Sequence, residues 1–271
     1  MANDGLEQTG SGFPEIRHIG MGAPTAWLGR GWADLRAAPA ASLFYGVVLA
    51  LMGLVIGRLA GQAAYELAFV TGFLLVGPFM AMGLYDISRR RERGASVSLR
   101  PTLVAWKVNL PAIALYSLIL ALLMAVWIRV SVVVVALFFE GGMPVVDTLA
   151  RDILESENGL FFVVAYSAAG SGFALLVFAT SVVSLPMLLD REKMDTLTAM
   201  ITSFNAVRLN FWPMLFWGLL IVTLTAIGFA TFYLGLIVLL PVIGHATWHA
   251  YRDVVAAPHA AANCRVRLGS S

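Results

Sequence analysis

The sequence contains few charged residues and a single cysteine. Charged side chains make up 13% of its 271 residues and hydrophobic ones 59%, whereas about a quarter of a typical soluble domain is charged. A soluble chain of this length does not have enough interior to bury so many apolar side chains. Cys264 alone cannot form an intramolecular disulfide or a metal site built from several cysteines. The composition therefore indicates an integral membrane protein.

Strong charge of one sign and enzyme signatures are also lacking. Lys and Arg number 18 and Asp and Glu 16, so nucleic acid is not expected as a partner. The sequence has no phosphate loop, HExxH, nucleophile elbow or CxxC motif. The first 40 residues carry charges and lack an apolar run, so no cleavable signal peptide is predicted. These absences favour a protein without catalytic activity.

Six apolar segments are long enough to cross a bilayer, which needs about 20 residues of helix. They are continuous rather than alternating, which favours helices over a barrel. The predicted fold class is therefore an all-α membrane protein with six transmembrane helices. The six segments are residues 40–57, 64–85, 110–128, 160–189, 211–229 and 232–249.

The loop charges orient these spans. Basic residues mark the cytoplasmic side, and they concentrate in the loops after the second and fourth spans. The loop after the third span is mostly acidic. The sequence therefore predicts that both termini are cytoplasmic and that the protein lies in the bacterial inner membrane. The basic residues of the two loops are Arg89, Arg90, Arg91, Arg93, Arg100, Lys107, Arg191, Lys193 and Arg208.

Short amphipathic segments outside the spans predict helices that lie in the membrane interface. Residues 26–37 place Trp27 and Trp32 beside basic residues, and residues 194–209 carry apolar residues at helical spacing. Residues 145–156 have the same pattern on the opposite side. The predicted organisation is a flexible cytoplasmic tail over 1–25, a membrane domain over 26–255 and a second cytoplasmic tail over 256–271.

Proline positions suggest an internal repeat of three helical hairpins. Pro39, Pro111 and Pro213 precede or begin the odd spans, where proline is tolerated in the first helical turn. The even spans each contain one proline, which is expected to kink the helix. These prolines are Pro78, Pro186 and Pro241. The alternative is that proline is simply common in membrane helices.

Three blocks carry a family resemblance: GWADLRAAPAASLFYGVVLALMG, GPFMAMGLYDISRRRERG and VSLPMLLDREKMDTLTAMITS. The sequence around them, over residues 28–255, resembles a bacterial family of predicted integral membrane proteins with a domain of unknown function. The resemblance implies six spans and an inner-membrane location, and it assigns no catalytic residue. Members are sometimes labelled cytochrome c oxidase subunit I, but a haem–copper core subunit has more histidine ligands than the four histidines of this chain.

His245 and His249 are the weak candidates for cofactor binding. They lie four residues apart near the end of the sixth span, so that both rings project from one helix face. Two imidazoles at this spacing can share a metal or lie near a haem. No third ligand is evident, and the alternative places both residues in the membrane interface. No metal site, catalytic residue or cofactor is predicted.

Arg89, Arg90, Arg91 and Arg93 form a basic cluster beside the second span, which is typical of contact with anionic lipid headgroups. The same charges also serve to orient the protein. Asp86 lies three and four residues before Arg89 and Arg90 and is expected to pair with them. The expected partners are therefore membrane lipids and, in a complex, other membrane protein subunits.

Three functional hypotheses follow from the sequence. The first is a non-enzymatic accessory or assembly protein of the inner membrane. The second is a transporter or flippase of a small amphiphile or lipid, with the kinked even spans lining its path. The third is a redox subunit that binds haem or metal through His245 and His249.

The predicted orientation is tested by reporter fusions. Fusions after Arg93 and after Met194 should report a cytoplasmic location, and a fusion after Asp152 a periplasmic one, because the basic loops stay inside. A cytoplasmic reading at Asp152 would contradict six spans.

Overall fold

The computed structural model of the protein describes residues 13–59, 63–139 and 158–256, and it describes no side chain at 57, 59 or 63–76. The described chain is helical. Its helices are α1 Ala23–Ala37, α2 Pro39–Leu59, α3 Ala63–Glu92, α4 Leu99–Thr102, α5 Leu110–Phe138, α6 Gly159–Ser181, α7 Ser184–Asp190, α8 Thr196–Leu209, α9 Phe211–Ala230 and α10 Leu236–Val254. A 3-10 turn, Ala105–Asn109, precedes α5. The predicted interfacial segment 145–156 lies outside the described residues.

Four stretches of the described chain are long and apolar enough to span a membrane. They are Pro39–Ile56, Leu99–Phe138, Gly159–Asp190 and Phe211–Ala230, and they correspond to the first, third, fourth and fifth predicted spans. The second and sixth predicted spans are helical, as α3 and α10, but do not belong to these four. The all-helical membrane fold is thus confirmed, whereas six spans and kinked hairpins remain predictions.

Helix α10 lies at the centre of the fold, and most of its residues are buried. Helix α1 packs along it. A Cβ atom added to Gly31 would lie 2.6 Å from the Val242 carbonyl oxygen, so only glycine allows this close approach. The approach also buries the Trp27 ring completely, and Trp27 packs edge-on against Trp217 of α9 at 5.6 Å. Helix α1 is therefore part of the core, although Trp32 remains exposed; its position in the membrane interface stays a prediction.

Helix α8 corresponds to the segment 194–209 that the sequence predicts as an interfacial helix. Its polar residues Thr202 and Ser203 are buried, whereas Leu197, Ile201 and Phe204 are exposed. The Ser203 hydroxyl accepts a hydrogen bond from the Val183 N–H at 3.3 Å, in the break between α6 and α7. Ala199 and Met200 are buried beside these two polar residues, so the face of α8 that packs on the protein combines polar and apolar residues.

The prolines fall into two groups, as the sequence suggests. Pro39 begins α2, and Pro111 lies in the first turn of α5. Pro78 and Pro241 lie inside α3 and α10, which continue through them. Pro186 differs, because the fourth predicted span breaks at Val182–Val183 and restarts as α7. Proline has no N–H to donate and clashes with the carbonyl four residues earlier, which here is that of Val182.

Part of the segment predicted as a flexible tail is ordered against α10. The Arg17 N–H donates to the Val254 carbonyl at 2.8 Å, and the Ala256 N–H donates to the Glu15 carbonyl at 2.9 Å. Asn210 fixes the same segment, because its side chain accepts from the Ile19 N–H and donates to the Arg17 carbonyl. Residues 15–19 are therefore attached to the ends of α8 and α10.

Replacing Gly31 by alanine should loosen α1 from α10. The added methyl group meets main-chain atoms that cannot rotate away, and overpacking of this kind costs about 2 kcal/mol. Gly29→Ala is the matched control, because nothing lies within 4 Å of its Cβ position. Thermal unfolding in detergent micelles should show a lower midpoint for Gly31→Ala alone. Equal midpoints for the two variants would contradict this packing.

Candidate functional site

His245 lies in the core rather than in the membrane interface. The ring is completely buried. Its Nε2 atom lies 2.9 Å from the Ser42 hydroxyl of α2, and its Nδ1 atom lies 2.9 Å from the Ser88 hydroxyl of α3. Both ring nitrogens are therefore within hydrogen-bond distance of uncharged hydroxyl groups. No sequence pattern predicted these two serines as partners of His245.

His249, one turn further along α10, has different surroundings. Its Nε2 atom lies 2.9 Å from the Asp34 carboxylate of α1. The shared helix face is thus present, but the two rings meet different partners. In the described part of the chain, no group of three or more His, Cys, Asp and Glu side chains converges. The two histidines, as placed, do not fit a shared haem or metal.

Ser42, His245 and Ser88 also resemble a nucleophile with its base, since a hydroxyl lies within hydrogen-bond distance of an imidazole. A catalytic role would require that a substrate can reach these side chains. Ser42 and His245 have no exposed surface, and Ser88 is almost completely buried. The three side chains therefore join α2, α3 and α10 and satisfy one another in the apolar interior.

Asp34 joins three helices at the end of this network. Its carboxylate, only 5% exposed, forms an ion pair with Arg91 of α3 and a hydrogen bond with His249 of α10. Burial raises the pKa of Asp34, but hydrogen bonds from His249 and Ser88 and the positive charge of His249 outweigh burial and leave this pKa below its usual value. Asp34 is thus held as a carboxylate.

The arginines predicted to contact lipid headgroups are paired within the chain. Asp86 is completely buried and receives Arg89 and Arg90, each at 2.6 Å, which confirms the predicted pairing. Arg91 pairs with Asp34, and Arg93 lies 3.1 Å from Asp190. Lipid binding at these four arginines stays a prediction. The paired carboxylates reduce the positive electrostatic potential that the arginines present to lipid headgroups.

The charged ends of α3, α7 and α10 interlock. Asp190 of α7 accepts from the Tyr251 hydroxyl at 2.9 Å and lies 3.4 Å from Arg252. Glu92 of α3 accepts from Arg252 and from the Trp248 indole N–H. Asp253 binds α1 through Trp27 and Arg30. We call this set of paired side chains the charged end; its members are Trp27, Arg30, Asp34, Asp86, Arg89, Arg90, Arg91, Glu92, Arg93, Asp190, Trp248, His249, Tyr251, Arg252 and Asp253.

An apolar cavity of about 310 Å³ lies next to the charged end. Its walls come from α3, α5, α6, α7, α9 and α10. They include residues of the second, fourth and sixth predicted spans, such as Pro78, Leu185 and Thr247. Small residues at the wall, among them Gly77 and Ala81, leave this space open. The sequence analysis predicted that the even spans each contain a proline but did not predict the cavity, because no local sequence pattern indicates which helices become neighbours.

Replacing Asp34 by asparagine should make stability less dependent on pH. Because the folded-state pKa of Asp34 is lowered, its carboxylate stabilises the fold fully above about pH 4 and loses this effect as the pH falls through the lowered pKa. We expect Asp34→Asn to cost about 2 kcal/mol at pH 7 and clearly less at pH 3. Thermal unfolding at both pH values measures this difference. A cost for Asp34→Asn that is the same at both pH values would contradict the assignment.

Comparison with known proteins agrees with the membrane fold. Residues 66–190 match the model of a family described as predicted integral membrane protein, DUF2189. The match runs from α3 to the end of α7 and confirms the family resemblance over that part. No curated protein and no solved structure matches the chain. Over residues 66–190 the chain is thus similar to a family of predicted integral membrane proteins.

Proposed function

We propose that this protein is a non-enzymatic accessory or assembly protein of the bacterial inner membrane that holds another membrane protein against helices α5 and α6. The observation that carries this proposal is the exposure of these two helices. Buried residues of α5 are confined to its first turns, at Ile113, Tyr116 and Ser117. In α6 they are Gly159, Phe162 and Ala179, near the two ends.

The α5–α6 hairpin is stabilised by contacts within itself. Tyr166 of α6 packs against the Trp127 ring of α5 at 5.6 Å, and the hydroxyl groups of Tyr166 and Ser131 lie 2.8 Å apart. Phe162 continues this aromatic contact toward Phe138 and Phe139. The hairpin therefore keeps its shape while large apolar side chains, such as Leu122 and Leu137, remain outside. The small residues Ala168 and Gly172 of α6 are exposed as well, and small residues let another helix approach closely in the membrane.

The charged end supports the non-enzymatic part of the proposal. Its carboxylates are paired with arginine, histidine, tyrosine or tryptophan side chains, as described above. The Ser42–His245 pair is closed to solvent. The proposal also places both termini in the cytoplasm, which agrees with the clustering of Arg89 to Arg93 and Arg252 at one end of the bundle and with the preference of basic residues for that side.

A second candidate function is a transporter or flippase of a small amphiphile. The apolar cavity favours it, because residues from the second, fourth and sixth predicted spans line one space of about 310 Å³. That volume falls at the lower end of the range for ligand sites, about 300–1,000 Å³. The redox subunit is not proposed, since the two histidines, as placed, do not fit a shared haem or metal.

Photo-crosslinking tests the accessory role. A photoreactive amino acid at Leu122 of α5 should capture one partner protein in intact membranes, because this side chain is 58% exposed on the proposed contact surface. Val222 of α9 is the matched control, since it is equally apolar and 65% exposed but lies outside the hairpin. Mass spectrometry identifies the adducts. Lipid adducts alone at both positions, or the same protein at both, would contradict the proposal.

A further inference from the structure

We propose that the apolar cavity binds one acyl chain of a glycerolipid, whose ester carbonyl accepts a hydrogen bond from the Tyr85 hydroxyl. This inference deepens the second candidate function, the amphiphile transporter, because it uses the same cavity as the binding site. It needs no transport and assigns a chemical class to the ligand.

Tyr85 carries the first part of the argument. Its side chain lines the cavity and the residue is only 7% exposed. No hydrogen bond joins its hydroxyl to the part of the chain that the structure describes. Tyrosine hydroxyls in protein interiors usually have a partner, and an unpaired one costs free energy. A ligand oxygen in the cavity would supply the missing acceptor.

The walls of the cavity select an uncharged, apolar ligand. They include Pro78, Leu120, Phe178 and Ile221, and no charged residue is among them. A second apolar cavity of about 410 Å³, lined by Trp127, also contacts Phe178. Phe178 therefore forms part of the wall of both spaces. Gly170, also at the second cavity, lies eight residues before Phe178 on α6, or about 12 Å along the helix. A hydrocarbon chain is the flexible, apolar ligand that matches these walls.

The position of Tyr85 indicates that the polar end of the ligand, at the start of its acyl chain, is an ester carbonyl. Tyr85 immediately precedes Asp86, which binds Arg89 and Arg90 of the charged end. Pro78 lies seven residues deeper on α3, about 10 Å along the helix. The polar end of the ligand thus lies beside the charged end, and its apolar chain leads away from it. In a glycerolipid the ester carbonyl joins these two parts, and the headgroup stays outside the uncharged cavity.

Two variants test separately the contact with the acyl chain and the contact with the ester carbonyl of the lipid. Gly77→Leu fills the cavity, because nothing lies within 4 Å of the Gly77 Cβ position, which faces this space. Gly172→Leu is the matched control, since its Cβ position on α6 is equally open but does not line either cavity. Tyr85→Phe keeps the ring and removes only the hydroxyl. Circular dichroism and thermal unfolding in detergent confirm that each variant is folded.

Native mass spectrometry of the full chain in detergent measures binding of dioleoyl phosphatidylglycerol, its diether analogue and oleic acid. We expect one ester lipid per chain, about ten-fold weaker binding of both phospholipids by Gly77→Leu, and unchanged binding by Gly172→Leu. Tyr85→Phe should weaken the ester lipid about five-fold and leave the diether analogue unchanged.

Three outcomes would overturn the inference: equal binding by the two glycine variants, an equal loss of ester and diether lipid on Tyr85→Phe, or binding of oleic acid alone. Lipid scrambling in vesicles separates the inference from transport. Lipid binding in the cavity without scrambling supports the lipid site and contradicts the flippase hypothesis. Scrambling that is unchanged in Gly77→Leu supports a flippase that uses another path, and it contradicts this site.

Discussion

The fold depends on how the polar groups of α10 are paired inside an otherwise apolar bundle. This helix carries His245, His249, Arg252 and Asp253, although most of its residues are buried. A buried polar group without a partner costs about 1–3 kcal/mol. The partners come from other helices: Ser42 of α2, Ser88 and Glu92 of α3, and Asp34 of α1. Pairing these groups therefore fixes α1, α2 and α3 around α10.

The position of α1 follows from the same requirement. Asp34 and Trp27 of α1 reach His249 and Asp253 only if the two helices lie close together. Gly31 removes the side chain that would keep them apart. Main-chain bonds between the segment before α1 and the end of α10 then close this side of the bundle. An amphipathic segment that looks interfacial in the sequence becomes a structural helix, because its polar residues have partners on α10.

The sequence predicted what local patterns determine. The helices, the proline at the start of α2 and the pairing of Asp86 with Arg89 depend on residues near one another in the chain. The roles of α1 and α8 were not predictable, because an apolar stripe does not reveal whether protein or lipid covers it. The partners of His245 are 203 and 157 residues away in sequence. The candidate cavity was equally hidden, since six helices contribute to its walls.

The charged end also explains why the apolar cavity stays open. Closing it would require α3 to move toward α6 and α7. Arg89 defines the spacing of α3 and α7 at this end, because it donates to the Leu189 carbonyl at the end of α7 at 2.9 Å, and Arg93 binds Asp190 one residue later. Asp86 holds Arg89 from within α3. The spacing of these helices is thus set by ion pairs at one end, while Gly77 and Pro78 leave no side chain long enough to fill the gap. In a bilayer, where hydrocarbon surrounds the helices, this open space next to the charged end is the basis of the proposed lipid site.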